Sequence, residues 1–138
     1  MSERTLVIIK PDAVQKKIIG ELIRRYEQAG YTIRAMQMIH LSQEQAETFY
    51  AVHKGKEFYE PLIKFMIEAP CIPMVLEGEG VIQGVRDLNG ATDPKDAAEG
   101  TIRKDFAENG RRNAVHASDS PETAEKEIAF FFSKMAEI

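Results

Sequence analysis

Three things are scarce in this sequence, and each scarcity excludes a class of protein. The chain has one cysteine, Cys71, so no internal disulfide can form and the expected compartment is the reducing cytoplasm. Apolar runs such as Leu6-Val7-Ile8-Ile9 and Ala129-Phe130-Phe131-Phe132 are far too short to cross a bilayer, so no membrane role is expected. Positive charge is also short: 18 Lys and Arg stand against 22 Asp and Glu, a net charge of −4. Bulk nucleic-acid binding normally needs a strongly basic surface, so no specific nucleic acid is expected as a partner. A small anion is not excluded, because a few well-placed cations suffice for one. The opening Met1-Ser2-Glu3-Arg4 runs straight into a strand-like segment, so neither a signal peptide nor a transit sequence is expected.

What is present is enough for one ordinary core. The 138 residues, 43% hydrophobic and 29% charged, suit a single domain over 1–138 that folds without disulfide or metal staples.

The uninterrupted apolar run Thr5 to Lys10, ended by Pro11, reads as a central strand covered on both faces. Ile18, Ile19, Leu22, Ile23 and Tyr26 fall on one helical face, with Gly30 as the stop. Tyr31 to Leu41 reads as a strand with partial alternation. Ser42-Gln43-Glu44-Gln45 matches a capping box and opens a helix through about Val52. His53 to Glu57 is loop-like, and Phe58 to Glu68 is amphipathic and helical. Cys71 to Glu77 is a third strand, and Val81 to Leu88 a short helix. Asn89 to Gly110 is polar and carries the loop formers Gly90, Pro94 and Gly100. It reads as a long irregular segment of the kind that usually serves function. Asn113 to His116 is a fourth strand, and Ser120-Pro121 starts the last helix as N-cap and first residue. Four strands and their helices in split βαβ order predict an α+β, ferredoxin-like sandwich, with helices covering a four-stranded antiparallel sheet.

His116 is the most informative position for chemistry. It sits where a strand gives way to Ala117-Ser118-Asp119-Ser120 before a helix, and a helix N-terminus suits a phosphate. An imidazole there can act as nucleophile, base or ligand; a solvated or hydrogen-bonded structural histidine is the plainer alternative. His40 and His53 show no metal-ligand spacing with each other, His116 or Cys71, and read as structural. Cys71 reads as a small buried hydrophobe, the Phe130-Phe131-Phe132 run as packing, and the pairs Arg24-Arg25 and Arg111-Arg112 as surface charge. Lys10, at the end of a buried strand, places an ammonium at the rim of the sheet, either for a ligand or merely snorkelling to solvent. Arg86, Thr92, Arg103 and Asn113 would add two guanidiniums and neutral donors, the equipment that phosphoryl transfer needs.

Several segments, taken together, resemble nucleoside diphosphate kinase. They are Arg4-Thr5-Leu6-Val7-Ile8-Ile9-Lys10-Pro11-Asp12, the stretch from Phe58, Gly90-Ala91-Thr92-Asp93-Pro94, Gly100-Thr101-Ile102-Arg103, and Asn113-Ala114-Val115-His116-Ala117-Ser118-Asp119-Ser120. The resemblance spans essentially the whole chain, and its specific signals are Ile-Lys-Pro-Asp and Asn-x-x-His-x-Ser-Asp. It implies a ping-pong enzyme of low base specificity, in which a nucleoside triphosphate phosphorylates His116 and the phosphohistidine then phosphorylates a nucleoside diphosphate. It also implies that the imidazole nitrogen nearer the backbone attacks while a backbone carbonyl holds the other. Glu127 and Ser118 match the groups that orient the histidine. Lys10, Tyr50, Arg86, Thr92, Arg103 and Asn113 match those that hold the phosphates and sugar, and Phe58 matches the aromatic on which the base stacks. Magnesium is implied as cofactor, bridging nucleotide phosphates with water rather than a protein cage. A homo-oligomer is implied as well, a tetramer or hexamer built from dimers. The short tail after Phe132 fits a bacterial-type member, and Pro94 lies in the loop that packs near neighbouring subunits in hexameric relatives.

Two departures stand out. Ala117 follows the histidine where many relatives carry glycine, which would strain a backbone of positive φ. Lys56-Glu57 stands where Arg-Pro is common and is expected to loosen the rim over the nucleotide. The competing reading is a ferredoxin-like module that binds RNA or nucleotide without chemistry. Such modules display aromatics on adjacent strands, and Thr5–Lys10 has none.

Overall fold

The computed structural model describes residues 2–133. The tail after Ser133, and with it most of the expected bacterial-type ending, lies outside the described residues. Strand β1 (Ser2–Ile9) pairs antiparallel along its whole length with β3 (Ile72–Glu79), from Ser2 opposite Glu79 to Ile9 opposite Ile72. On its other side lies the short β4 (Val115–Ala117), with Ile8 opposite His116. Strand β2 (Thr32–Met36) forms the far edge on β3, giving the order β2-β3-β1-β4. This is the expected four-stranded antiparallel sheet.

β1 is central, and Thr5 to Ile9 are fully buried, because the run carries no polar side that could face water. That burial also removes the exposed strand surface on which an RNA-binding module would stack bases.

Seven helices accompany the sheet among the described residues: α1 (Pro11–Gln15), α2 (Ile19–Gln28), α3 (Gln43–Phe49), α4 (Tyr59–Met66), α5 (Val81–Asn89), α6 (Ile102–Phe106) and α7 (Pro121–Phe131). Several are started by the expected signals. Ser42 and Gln45 form the reciprocal capping box of α3. Ser120 accepts the Thr123 N–H, with Pro121 as the first residue of α7. Gly30 stops the chain after α2 with φ of +98°.

Four expectations need correction. Pro11 ends β1 but also begins α1, with Lys10 as its N-cap residue; a proline at a first helical turn starts a helix as readily as it ends a strand. The strand expected over Tyr31–Leu41 is ordered as β2 only to Met36, its register shifts between Ile33 and Ala35, and Ile39 bridges Cys71 in isolation. The long segment 89–110 is not all irregular: it holds a 3₁₀ turn at Pro94–Asp96 and α6, capped by Thr101. The fourth strand begins two residues later than expected and ends one later, at Ala117, because Ala114 adopts φ of +72° and breaks the extended run.

Candidate active site

The end of β1 and the start of β4 lie side by side, and the site grows from that junction. The Lys10 N–H continues the ladder by donating to the Ala114 carbonyl at 2.9 Å. Its ammonium donates to Oδ1 of Asn113 at 2.8 Å. Lys10 is only 7% exposed, so it lies under the rim of the sheet rather than reaching out from it. Burial, reinforced by the Arg103 guanidinium and partly offset by Asp12, lowers the Lys10 pKa to about 8.

Asn113 is fully engaged. Its amide nitrogen donates to the Thr92 and Gly110 carbonyls at 3.2 and 3.1 Å. Arg103, on α6, spends its three guanidinium nitrogens on carbonyls of Asn113, Gly90 and Val115. Burial lowers its pKa, without threatening its charge. It is therefore the bolt that fastens the 89–92 loop and the approach to β4 to one another. Arg86, on α5, is exposed and has no partner among the described residues.

His116 is half-buried on β4. Its Nε2 lies 2.9 Å from Oε1 of Glu127 on α7, and the Ser118 hydroxyl donates to the same oxygen at 2.7 Å. Ser118 is itself fixed between strands: its Oγ accepts the Leu6 N–H and its own N–H donates to the Leu6 carbonyl. A carboxylate can only accept, so Nε2 is the donor in this contact, and in the neutral tautomer that fits it Nδ1 carries the lone pair. This corrects the expected backbone carbonyl as the partner of the outer nitrogen. Nδ1 has no hydrogen-bond partner among the described residues. The Phe49 ring packs edge-on against the imidazole, with centroids 5.7 Å apart, fixing its plane from the other side. α7 thus enters the site through its second turn, and Asp119, just before its N-cap Ser120, lines the cavity while residues 120–123 do not.

Beside His116 opens a cavity of about 820 Å³, and its wall holds Lys10, Tyr50, Phe58, Arg86, Thr92, Arg103, Asn113 and His116 together. Glu127 and Ser118 stand behind the histidine. Tyr50 is 6% exposed with its hydroxyl unpartnered, and burial, with Cys71 and Glu127 nearby, holds that hydroxyl well above the usual tyrosine range. Phe58 stands at the mouth, 43% exposed.

The wall also contains residues the sequence reading set aside. Arg111 lines the cavity, while only its neighbour Arg112 behaves as surface charge, bridging Glu68. His53 lines it too, with its ring 5.0 Å from that of Phe58 and its pKa lowered by burial, Lys56 and His116. Arg25 is likewise more than surface charge: it bridges Glu21 and Asp105 and lies 5.0 Å from the Phe106 ring, tying α6 to α2. The other readings hold. His40 Nε2 donates to the Ile67 carbonyl at 2.7 Å and does not line the cavity. Cys71 is buried and its thiol is pushed up to about 12 by burial, so it is no nucleophile.

Four cations (Lys10, Arg86, Arg103 and Arg111) and one carboxylate, Asp119, face this cavity. In a chain of net charge −4 that is a local inversion of sign, and it suits a polyanion of nucleotide size.

Comparison with known proteins points the same way. The family model described as nucleoside diphosphate kinase matches residues 3–136. A nucleoside diphosphate kinase of Desulfatibacillum aliphaticivorans is 57% identical over 132 residues, 96% of each chain. That of Leptothrix cholodnii is 58% identical over 134 residues, 97% of this chain and 95% of the other. Among solved structures, the Aquifex aeolicus nucleoside diphosphate kinase superposes with a TM-score of 0.95 at 43% identity, covering 98% of both chains. A halophilic nucleoside diphosphate kinase from Halobacterium salinarum, in complex with CDP, superposes at 0.93 with 39% identity, covering 97% of this chain and 90% of that one.

Proposed function

The chain belongs to the nucleoside diphosphate kinase family, and from that premise we propose that His116 Nδ1 is the nucleophile and that the cavity wall binds the nucleotide. The activity is transfer of the terminal phosphate of a nucleoside triphosphate to a nucleoside diphosphate, in two ping-pong steps through a phosphohistidine. In the first step the Nδ1 lone pair forms a bond to the terminal phosphorus, and the bond from that phosphorus to the bridging oxygen breaks, releasing a diphosphate. In the second, a terminal oxygen of another diphosphate attacks the same phosphorus and the P–N bond breaks. Splitting one transfer between two anions into two steps at one site is what covalent catalysis supplies.

The observation that carries this assignment is the Glu127–His116 contact of 2.9 Å. That contact supports a reading in which Nε2 carries the proton, Nδ1 attacks, and the carboxylate stabilises the positive ring as the P–N bond forms. Lys10, with Asn113 fixing its ammonium, neutralises charge on the transferred group. Arg86, unpartnered in the free protein, and Thr92 close on the phosphates. Arg103 contributes its positive field from a fixed position while holding the wall. Tyr50 offers its unpaired hydroxyl to the sugar or the transferring phosphate, and Phe58 stacks on the base; a π-face accepts any base, which fits low base specificity.

Kinases of this kind generally need a divalent ion. The donors at hand fit magnesium carried on the nucleotide: Asp119 is the single carboxylate of the wall, and no cluster of three or more His, Cys, Asp or Glu side chains is placed to hold a metal among the described residues. When bound, magnesium supplies charge neutralisation and holds the phosphates in one conformation.

The protein acts in the cytoplasm as a homo-oligomer, a tetramer or hexamer built from dimers. Two features support this: no helix among the described residues is long and apolar enough to cross a membrane, and the edge strand β2 ends in Met36, 50% exposed, with Met38 just beyond it 57% exposed. Sedimentation analysis measures the assembly directly.

Intact-mass spectrometry after brief incubation with magnesium ATP tests the central reading. One added phosphoryl group, lost on addition of GDP with GTP formed, is the expected result. A folded protein that gains no mass, or a His116→Ala variant that still gains it, overturns the assignment.

A further inference from the structure

Asp12 is buried to 2% exposure, yet the chemistry above does not use it. Its Oδ2 accepts the Ala114 N–H at 3.0 Å, while Oδ1 has no hydrogen-bond partner. Ala114 is a buried non-glycine residue at φ of +72°, and its carbonyl accepts the Lys10 N–H at 2.9 Å. The left-handed turn at Ala114 is thus clamped at both polar backbone groups by the segment Lys10–Asp12. Asn113 lies immediately before that turn and His116 two residues after it. A side chain at 114 resists this conformation, so something must over-determine it.

We propose that Asp12 is a positioning residue for phosphoryl transfer: by gripping the Ala114 amide it holds the left-handed turn that brings Asn113 against Lys10 and sets His116 beside them. The proposal rests on His116 being the phosphorylated residue.

A second consequence concerns charge. The charged and polar groups around the Lys10 ammonium are Asp12 from α1, Arg103 from α6 and Asn113 from the loop before β4, with the Phe65 ring of α4 at 6.0 Å. Asp12 is the one anion in that set, and it works against burial and Arg103 to keep Lys10 protonated. A residue that only maintained the fold would have no such effect on titration.

The test uses Asp12→Asn, Asp12→Ala, Ala114→Gly and the double variant Asp12→Ala/Ala114→Gly, in the full chain. The readouts are the rate of His116 phosphorylation by magnesium ATP, its pH dependence, and hydrogen exchange at the residue-114 amide without nucleotide. Asparagine keeps an acceptor for Ala114 but removes the charge. Its alkaline limb should move to lower pH by about one unit, with exchange at 114 changed little. Alanine should slow phosphorylation by roughly 30-fold or more and expose the 114 amide to exchange. Glycine at 114 alone should be close to wild type, and in the double variant it should restore much of the rate, because glycine takes the left-handed conformation freely. An Asp12→Asn protein with an unmoved pH profile overturns the charge role. An Asp12→Ala protein with wild-type rate and exchange, or a double variant no faster than Asp12→Ala, overturns the positioning role. Should Asp12→Ala fail to fold, the double variant decides: one that also fails to fold, or that folds with its phosphorylation rate lost, overturns the positioning role. Wild-type protein that takes up no phosphate would instead sink the histidine assignment, while the exchange arm would still report on the Asp12 grip.

Discussion

Oε1 of Glu127 accepts from both Nε2 of His116, at 2.9 Å, and the Ser118 hydroxyl, at 2.7 Å. One carboxylate oxygen therefore fixes the tautomer and the orientation of the imidazole. The second donor, anchored to Leu6 on β1, prevents the carboxylate from following the ring if it turns. The orientation is written into the sheet rather than into a loop.

Removing that anchor should slow the chemical step without emptying the site. Glu127→Ala is expected to lower the rate of His116 phosphorylation by about 10²-fold, with nucleotide affinity little changed, because Glu127 does not line the cavity. Glu127→Gln should lose less, since its carboxamide oxygen can still accept from both groups. Rapid-quench measurement of phosphoenzyme formation separates the two. A Glu127→Ala enzyme phosphorylated at the wild-type rate would contradict the role given to this contact.

Base stacking makes the opposite split. Phe58→Ala should weaken nucleotide binding by roughly 5- to 150-fold, the span expected for one lost aromatic–base stack. The loss should be of similar size for purine and pyrimidine diphosphates, and the maximal rate should largely survive. Binding constants for ADP, GDP and CDP measured by calorimetry check this. A loss confined to one base would mean that Phe58 reads identity rather than offering a face.

The pH dependence follows from Lys10. Its folded pKa of about 8 lies below the usual lysine value because burial and Arg103 penalise the charge. The protonated form, which neutralises the transferred phosphate, is therefore full below pH 8 and lost above it. The apparent second-order rate of phosphorylation should fall on the alkaline side with an inflexion near pH 8. The limb seen at saturating nucleotide should lie higher, because bound phosphate favours the ammonium. Lys10→Met should abolish the limb together with most of the activity.

How much of this was legible in the chain depends on range. The buried strand, the capping box at Ser42 and the Ser120-Pro121 start are local signals, and each formed where its residues indicated. The wall residues Lys10 to Asn113 were recognisable by type and by resemblance, but their convergence is a matter of tertiary packing that spacing cannot encode. The failures share one cause. Arg111 and His53 look like ordinary surface or structural side chains until the fold brings them to the cavity. Ala117 was singled out as costly only if its backbone had positive φ; the positive φ falls instead at Ala114, and the carboxylate that holds it comes from Asp12, about a hundred residues earlier in the chain. The helix α6 is one short turn and a half, too brief for a periodic pattern to show.

The last prediction concerns two glycines that carry no chemistry. Tyr31, just after α2, lies across Gly78 of β3 and Gly84 of α5. A Cβ at Gly78 would stand 2.8 Å from its Cδ1, and one at Gly84 would overlap its hydroxyl and stand 2.9 Å from Cζ. The ring is thus the spacer that sets α5 on the end of β3, and α5 carries Arg86 to the cavity. Gly84→Ala is expected to destabilise the fold by about 1–3 kcal/mol, the usual range for overpacking a fitted site. Because the hydroxyl is the nearest clashing atom, Tyr31→Phe in the same chain should recover part of that loss, while the ring carbon still in contact keeps recovery incomplete. Denaturant titration of the two single variants and the double variant gives the coupling. Strict additivity would show that Tyr31 can swing aside at no cost and that the two glycines are not required by it. If α5 is displaced rather than Tyr31, nucleotide affinity should fall with stability, since the guanidinium of Arg86 would move with its helix. If Tyr31 gives way instead, stability alone should change. Measuring both on the same preparations therefore identifies which side of the contact is rigid.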